Sequence, residues 1–157
     1  MTAKLLPELA AVGGTPNEGN PKRHFKVTAG AELQISNLRL TGGKTCTTYD
    51  ISCHGGSIYA TGSSTTVRAA HVQFAGCGMN INCAFYGGAI WAFNGAIVST
   101  EHSTFASNRA AYSGGAIFAN SSARVTITHT RFEGNWARIR GGAVVVSNGN
   151  PITRLIL

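Results

Sequence analysis

Few side chains in this chain of 157 residues could carry acid–base or metal chemistry, and their spacing argues against most of it. The carboxylates are Glu8, Glu18, Glu32, Asp50, Glu101 and Glu133. Cleaving a glycosidic bond takes two carboxyl groups facing each other across the substrate, or a carboxylate cluster with a positioned base. No two of these acids are adjacent, and in the repeat register set out below Glu101 falls opposite Thr128 and Glu133 opposite Ala106. No catalytic residue is assigned.

His71, His102 and His129 recur at equivalent places, which raises the question of a metal site. Neighbours in a strand ladder lie roughly 4.8 Å apart, so two imidazoles could share one ion only by tilting. No carboxylate joins them in that column, and Asn37 holds the same place one repeat earlier. The column reads as a polar turn ladder hydrogen-bonded to backbone, and neither metal nor cofactor is expected. The cysteines come as two pairs, Cys46 with Cys53 and Cys77 with Cys83. Their spacing does not resemble a zinc knuckle. They are expected to form disulfides that staple two neighbouring loops, with the connectivity open, in an oxidising, extracytoplasmic setting.

One further group stands out. Tyr59, Trp91 and Phe118 recur at one position and point away from the expected core, as an exposed aromatic column suited to stacking on sugar rings or to a protein partner. These three are the candidate ligand-binding residues.

The elements that would position such residues follow from a repeat. Gly55-Gly56-Ser57-Ile58, Gly87-Gly88-Ala89-Ile90, Gly114-Gly115-Ala116-Ile117 and Gly141-Gly142-Ala143-Val144 stand 32, 27 and 27 residues apart. A second landmark, Phe105…Asn108 and Phe132…Asn135 with Phe74…Cys77 as a variant, precedes the last three. A fixed period with its slack confined to one loop marks a solenoid. Aligned on these landmarks, Leu33, Val67, Val98 and Val125 fall in one column, as do Ile35, Ala69, Thr100 and Ile127. Leu40, Phe74, Phe105 and Phe132 form another. Columns of like residues at a constant offset predict turns of chain stacked as parallel strands.

The expected fold is therefore all-β, a right-handed parallel β-helix of about four to five rungs with a period of about 27 residues. The Gly-Gly pair marks a sharp turn into a strand. Ile58, Ile90, Ile117 and Val144 should then face the core, with Ala60, Ala92, Ala119 and Val146 two residues on. Residues 1–22 read as an irregular lead-in and 23–157 as the repeat domain. The net charge of +7 comes from 13 basic residues spread along the chain, without the clustering that nucleic acid requires. No stretch approaches the roughly 20 apolar residues of a membrane helix, and the polar start does not suit a signal peptide. The apolar finish Ile152-Thr153-Arg154-Leu155-Ile156-Leu157 lacks a polar cap. The chain is expected to be a piece of a longer solenoid, able to self-associate through its open ends.

Gly-Gly-Ala-Ile paired with Phe-x-x-Asn resembles the repeat of the chlamydial polymorphic outer membrane proteins, over roughly residues 23–150. Arg23-His24-Phe25-Lys26-Val27 and the run to Gly42-Gly43 are similar to the first rungs of right-handed parallel β-helix repeat proteins. Cys77 departs from the pattern, standing where the family has Asn. The resemblance implies a non-catalytic repeat segment with an adhesin-like binding or structural role, extracellular or on the cell surface, with a glycan or a host or cell-surface protein as the expected partner. The alternative from another class is a piece of a pectate-lyase-like, polysaccharide-active β-helix enzyme lacking its catalytic residues. Protein made in an oxidising compartment is expected to show no alkylatable thiol at the cysteines by mass spectrometry. Four alkylated thiols would refute the secreted reading.

Overall fold

The structure, a computed structural model, describes residues 11–13, 23–45, 53–77 and 83–147. Strand β1 (Ala11–Gly13) precedes a first rung formed by β2 (Phe25–Thr28) and β3 (Glu32–Thr41). β4 (Ile58–Thr61) and β5 (Thr66–Ala75) repeat that pair. The third rung adds strands and comprises β6 (Ala84–Tyr86), β7 (Ile90–Phe93), β8 (Ile97–Glu101) and β9 (Thr104–Ala106). The fourth is β10 (Arg109–Ser113), β11 (Ile117–Asn120), β12 (Arg124–Thr128) and β13 (Arg131–Glu133). β14 (Trp136–Ala137) and β15 (Val144–Ser147) follow.

Every pairing is parallel, and equivalent strands stack into three sheets, so the fold is a parallel β-helix. The first sheet runs β1-β3-β5-β8-β12 with β9 and β13 alongside. The second is β2-β4-β7-β11-β15, and the third is the short β6-β10-β14. Leu33, Val67, Val98 and Val125 pair in register, as do Leu40, Phe74, Phe105 and Phe132. In the second sheet the column Ile58, Ile90, Ile117, Val144 begins one rung earlier, at Phe25. The repeat is thus 33, 32, 27 and 27 residues long in successive rungs.

Burial explains the columns. β3 and β5 share one pattern in which Leu33, Ile35, Leu38 and Leu40, and their partners Val67, Ala69, Val72 and Phe74, are buried. The inward positions slip by one between Ile35 and Leu38, although strand side chains alternate strictly. The slip is made at Asn37 and His71, which take left-handed φ of 54° and 55°; His102 and His129 do the same at 44° and 46°. Asn and His tolerate that region better than most residues. The residue resets parity, so both halves of the long strand face the core. Its rings stack rung on rung, with centroids 5.1 Å apart for His71 and His102 and 4.7 Å for His102 and His129. The ladder expected from sequence is present, held by stacking and backbone conformation where hydrogen bonds to backbone were expected.

The two glycines of each signature do different work. The first takes a positive φ: Gly55 60°, Gly87 61°, Gly114 66° and Gly141 57°. The second sits where rungs touch. A Cβ on Gly115 would lie 2.6 Å from the Trp136 carbonyl oxygen and would also overlap that of Gly142; one on Gly88 would meet the Arg109 nitrogen at 2.7 Å. Inside the coil, Phe74 stacks on Phe105 at 4.4 Å and Phe105 on Phe132 at 5.0 Å, nearly parallel. Beside them runs an asparagine ladder. The buried Asn108 donates Nδ2 to the Phe74 carbonyl at 3.0 Å, and Asn135 donates to that of Phe105 at 2.9 Å. Asn135 Oδ1 accepts from the Asn108 backbone N–H at 3.0 Å, tying one rung to the next.

Three expectations need correction. The lead-in is not wholly irregular, because β1 pairs with β3, Val12 opposite Leu40. Val146 keeps its place opposite Ala119 yet is exposed, since among the described residues no further rung covers it. The cysteines do not staple neighbouring loops: Cys77 is bonded to Cys83 within a single loop, with Cα atoms 5.4 Å apart. Cys53 is buried; Cys46 and the stretch 148–157, including its uncapped finish, lie outside the described residues. Gly115→Ala tests the contact between rungs. Overpacking of about 1–3 kcal/mol should lower the melting temperature by several degrees, read by circular dichroism, and an unchanged melt would show that the rungs can separate there.

Candidate functional site

The outer face of the second sheet carries the aromatic column, in register as Lys26, Tyr59, Trp91, Phe118 and Val145. Strand parity does turn these side chains away from the core. The column is not the open platform the sequence suggested, because a second layer covers its middle. His54 stacks on Trp91 at 4.4 Å, and Phe93 lies against it at 4.8 Å. Tyr86 lies against Phe118 at 4.6 Å. Trp91 and Phe118 are each left 7% exposed, and only Tyr59 is half-buried. A sugar ring cannot reach either face of Trp91.

Apart from Phe93, the covering residues share one position, immediately before each Gly-Gly, held by His54, Tyr86, Ser113 and Arg140 and bridged in that order. The left-handed turn at the first glycine lays this residue back beside the outer face of the strand that follows. Sequence reasoning passed over the position because its residues are unlike one another. The signal was its fixed place next to a repeated motif.

Between this column and the far ends of β7, β11 and β15 lies an open groove of about 700 Å³. Its floor is Trp91, Phe118 and Val145; His54, Tyr86, Tyr112, Ser113 and Arg140 form one wall, and Phe93, Asn120 and Ser147 the other. A bulge shapes the first wall. β6 and β10 pair at Ala84–Ala110 and again at Tyr86–Ser113, so β10 holds one residue more. Ala110 and Ala111 are both buried in succession, Tyr112 is thrown outward to 38% exposure, and Ser113 turns in at 2%. Bulges commonly re-aim a side chain in this way. Tyr112 stacks on Phe85 at 5.3 Å and lies equally far from Tyr86. The Ser113 hydroxyl is buried with no hydrogen-bond partner.

The electrostatics are one-signed. Burial, then the neighbouring Tyr112, raises the Tyr86 phenol above its usual pKa, with Arg140 acting the other way, so its O–H stays a donor. Above Tyr59, Arg23 closes the column: its guanidinium lies 4.9 Å from the ring and donates to the carbonyls of Gly55 and His54 at 2.9 and 2.5 Å. Burial lowers the Arg23 pKa while Tyr59 and Cys53 oppose the shift. Among the described residues the groove lining contains no carboxylate. The described carboxylates stand on the first sheet, each near a base: Glu32 with Arg68 at 3.2 Å, Glu101 with His102 at 3.6 Å, and Glu133 with Arg131. Among the described residues no three His, Cys, Asp or Glu gather to hold a metal ion.

Residues 102–120 match the model of the Chlamydia polymorphic membrane protein repeat. The match runs from the corner residue His102 through Phe105 and Asn108 to the Gly114-Gly115 signature, and includes Tyr112, Ser113 and Phe118 of the groove. That rung is similar to a repeat of this type, and it is set in a parallel β-helix. No curated protein and no solved structure matches the chain.

The two kinds of aromatic should respond differently to truncation. Trp91→Ala removes a buried ring and should cost about 3–5 kcal/mol, whereas Tyr112→Ala at the rim should cost under about 1 kcal/mol. Chemical denaturation measures both. Equal losses would contradict the layering described.

Proposed function

We propose that this chain is a non-catalytic, adhesin-like segment displayed outside the cell or on its surface, and that the groove along β7, β11 and β15 holds its partner. The groove carries the proposal. It joins an apolar floor to a wall of hydroxyls and a cation, the mixture of apolar and convergent polar groups that recognition sites use.

Three further observations support it. The matched repeat belongs to a family described as membrane proteins of Chlamydia, which favours an outer-membrane or surface location. The bond between Cys77 and Cys83 suits an oxidising compartment. Each described carboxylate has a basic neighbour, and none faces another across a cleft, which favours binding over acid–base cleavage. The partner is a glycan or a protein on another cell.

Binding to arrayed glycans and to intact host cells tests the reading. Tyr112→Ala should weaken binding about tenfold while leaving the circular dichroism spectrum unchanged. Undiminished binding by this variant would remove the groove as the site.

A further inference from the structure

We infer that the groove accepts an acidic saccharide, one whose carboxylate or sulfate group is received by Arg140 while its ring lies along Tyr112. The inference rests on the groove being the binding site and adds the chemistry of what binds.

The sign of the charge comes first. On the first sheet a hollow of about 420 Å³ is lined by both Arg68 and Glu101, and Arg68 is already engaged by Glu32. That surface is compensated. The groove on the second sheet has Arg140, exposed at its wall, and among the described residues no carboxylate lines it. A guanidinium so placed presents a planar fork of donors matched to a carboxylate or sulfate.

The donor count points the same way. Tyr86, Tyr112, Ser113 and Arg140 share one wall, and of these Arg140 can only donate. Neutral sugars offer hydroxyls that must both donate and accept, and sites for them supply carboxylate acceptors as well. The three hydroxyls of this wall can donate or accept, and the Arg140 guanidinium tips the balance toward donors, which suits a ligand rich in acceptors. An acidic saccharide has such acceptors on a ring whose C–H face can lie on an exposed tyrosine.

Ser113 is the independent observation. The residue is 2% exposed and lines the groove, and its buried hydroxyl has no hydrogen-bond partner among the described residues. A buried hydroxyl left unmade is costly, and the cost is removed when a ligand oxygen meets it.

The test titrates the intact chain with four probes: a uronate oligosaccharide, a sulfated oligosaccharide, a neutral gluco-oligosaccharide of equal length, and oligoglutamate. At least one acidic sugar should bind about tenfold tighter than the neutral sugar and than oligoglutamate. The uronate and sulfate arms tell which group is read. Arg140→Gln should lose about tenfold, while Arg39→Gln, on the first sheet, should stay within about twofold. Ser113→Ala should weaken binding while leaving the melting temperature level or higher, a combination that a structural role would not give. Equal affinity for neutral and acidic sugars, with Tyr112→Ala weakening both, would overturn the acidic preference and keep the groove. Oligoglutamate binding as tightly as the acidic sugars would reduce the site to charge alone and overturn the inference. Unchanged affinity in Arg140→Gln would do the same. No sugar bound, with Tyr112→Ala also silent toward cells, would remove groove and ligand together.

Discussion

Each rung of this coil must land on the one before it at a single strand spacing, and the corner at the second glycine is where that requirement is tightest. Carbonyl oxygens of the adjoining rung occupy the space a Cβ would need at Gly88 and Gly115. The requirement propagates. Once the corners are locked, Ile90 lies opposite Ile117 and Phe74 lies flat on Phe105, because a coil with fixed corners repeats by translation. Rings related by translation stack face to face. That is not the geometry isolated aromatic pairs prefer, so here the backbone sets it.

Translation is also why so much of the fold was legible. A column of like residues at constant offset says that the same place in space is being visited again, and the columns read from the chain match the observed register. The parity slip between Ile35 and Leu38 was less visible, since nothing about Asn37 or His71 in isolation marks a left-handed backbone. The third sheet was not legible at all. Its strands run from two to five residues, too short to show a period, and one of them holds a bulge.

That gap explains why the site was read only in part. Alternation along a strand gives the direction of Tyr59, Trp91 and Phe118, and the direction was right. It says nothing about what lies over them. Most of the cover comes from the residue before each Gly-Gly, placed by the turn and by the third sheet, so Trp91 and Phe118 became the floor of the groove. Those that do meet solvent, Tyr112 and Arg140, owe their exposure to the bulge in β10 and to a position with no repeated residue type. A repeat thus hides its variable function in the places where it repeats least.

The same logic resolves the cysteine that interrupts the asparagine ladder. Three residues past the ladder phenylalanine, the backbone N–H points into the corner and needs an acceptor. At Asn108 that acceptor is the amide oxygen of Asn135, supplied by the next rung 27 residues on. At Cys77 the N–H instead meets the sulfur of Cys83 at 3.1 Å, six residues on in the same loop. The loop after Phe74 is longer than those after Phe105 and Phe132, 13 residues to the next Gly-Gly against nine. A loop with four extra residues has more conformations to suppress, and the Cys77–Cys83 bond closes its first part on itself. Where the loop is short, a hydrogen bond between rungs is enough to fix the corner. Where it is long, the chain uses a covalent bond within the rung, and a weaker sulfur acceptor suffices because the bond already holds it in place.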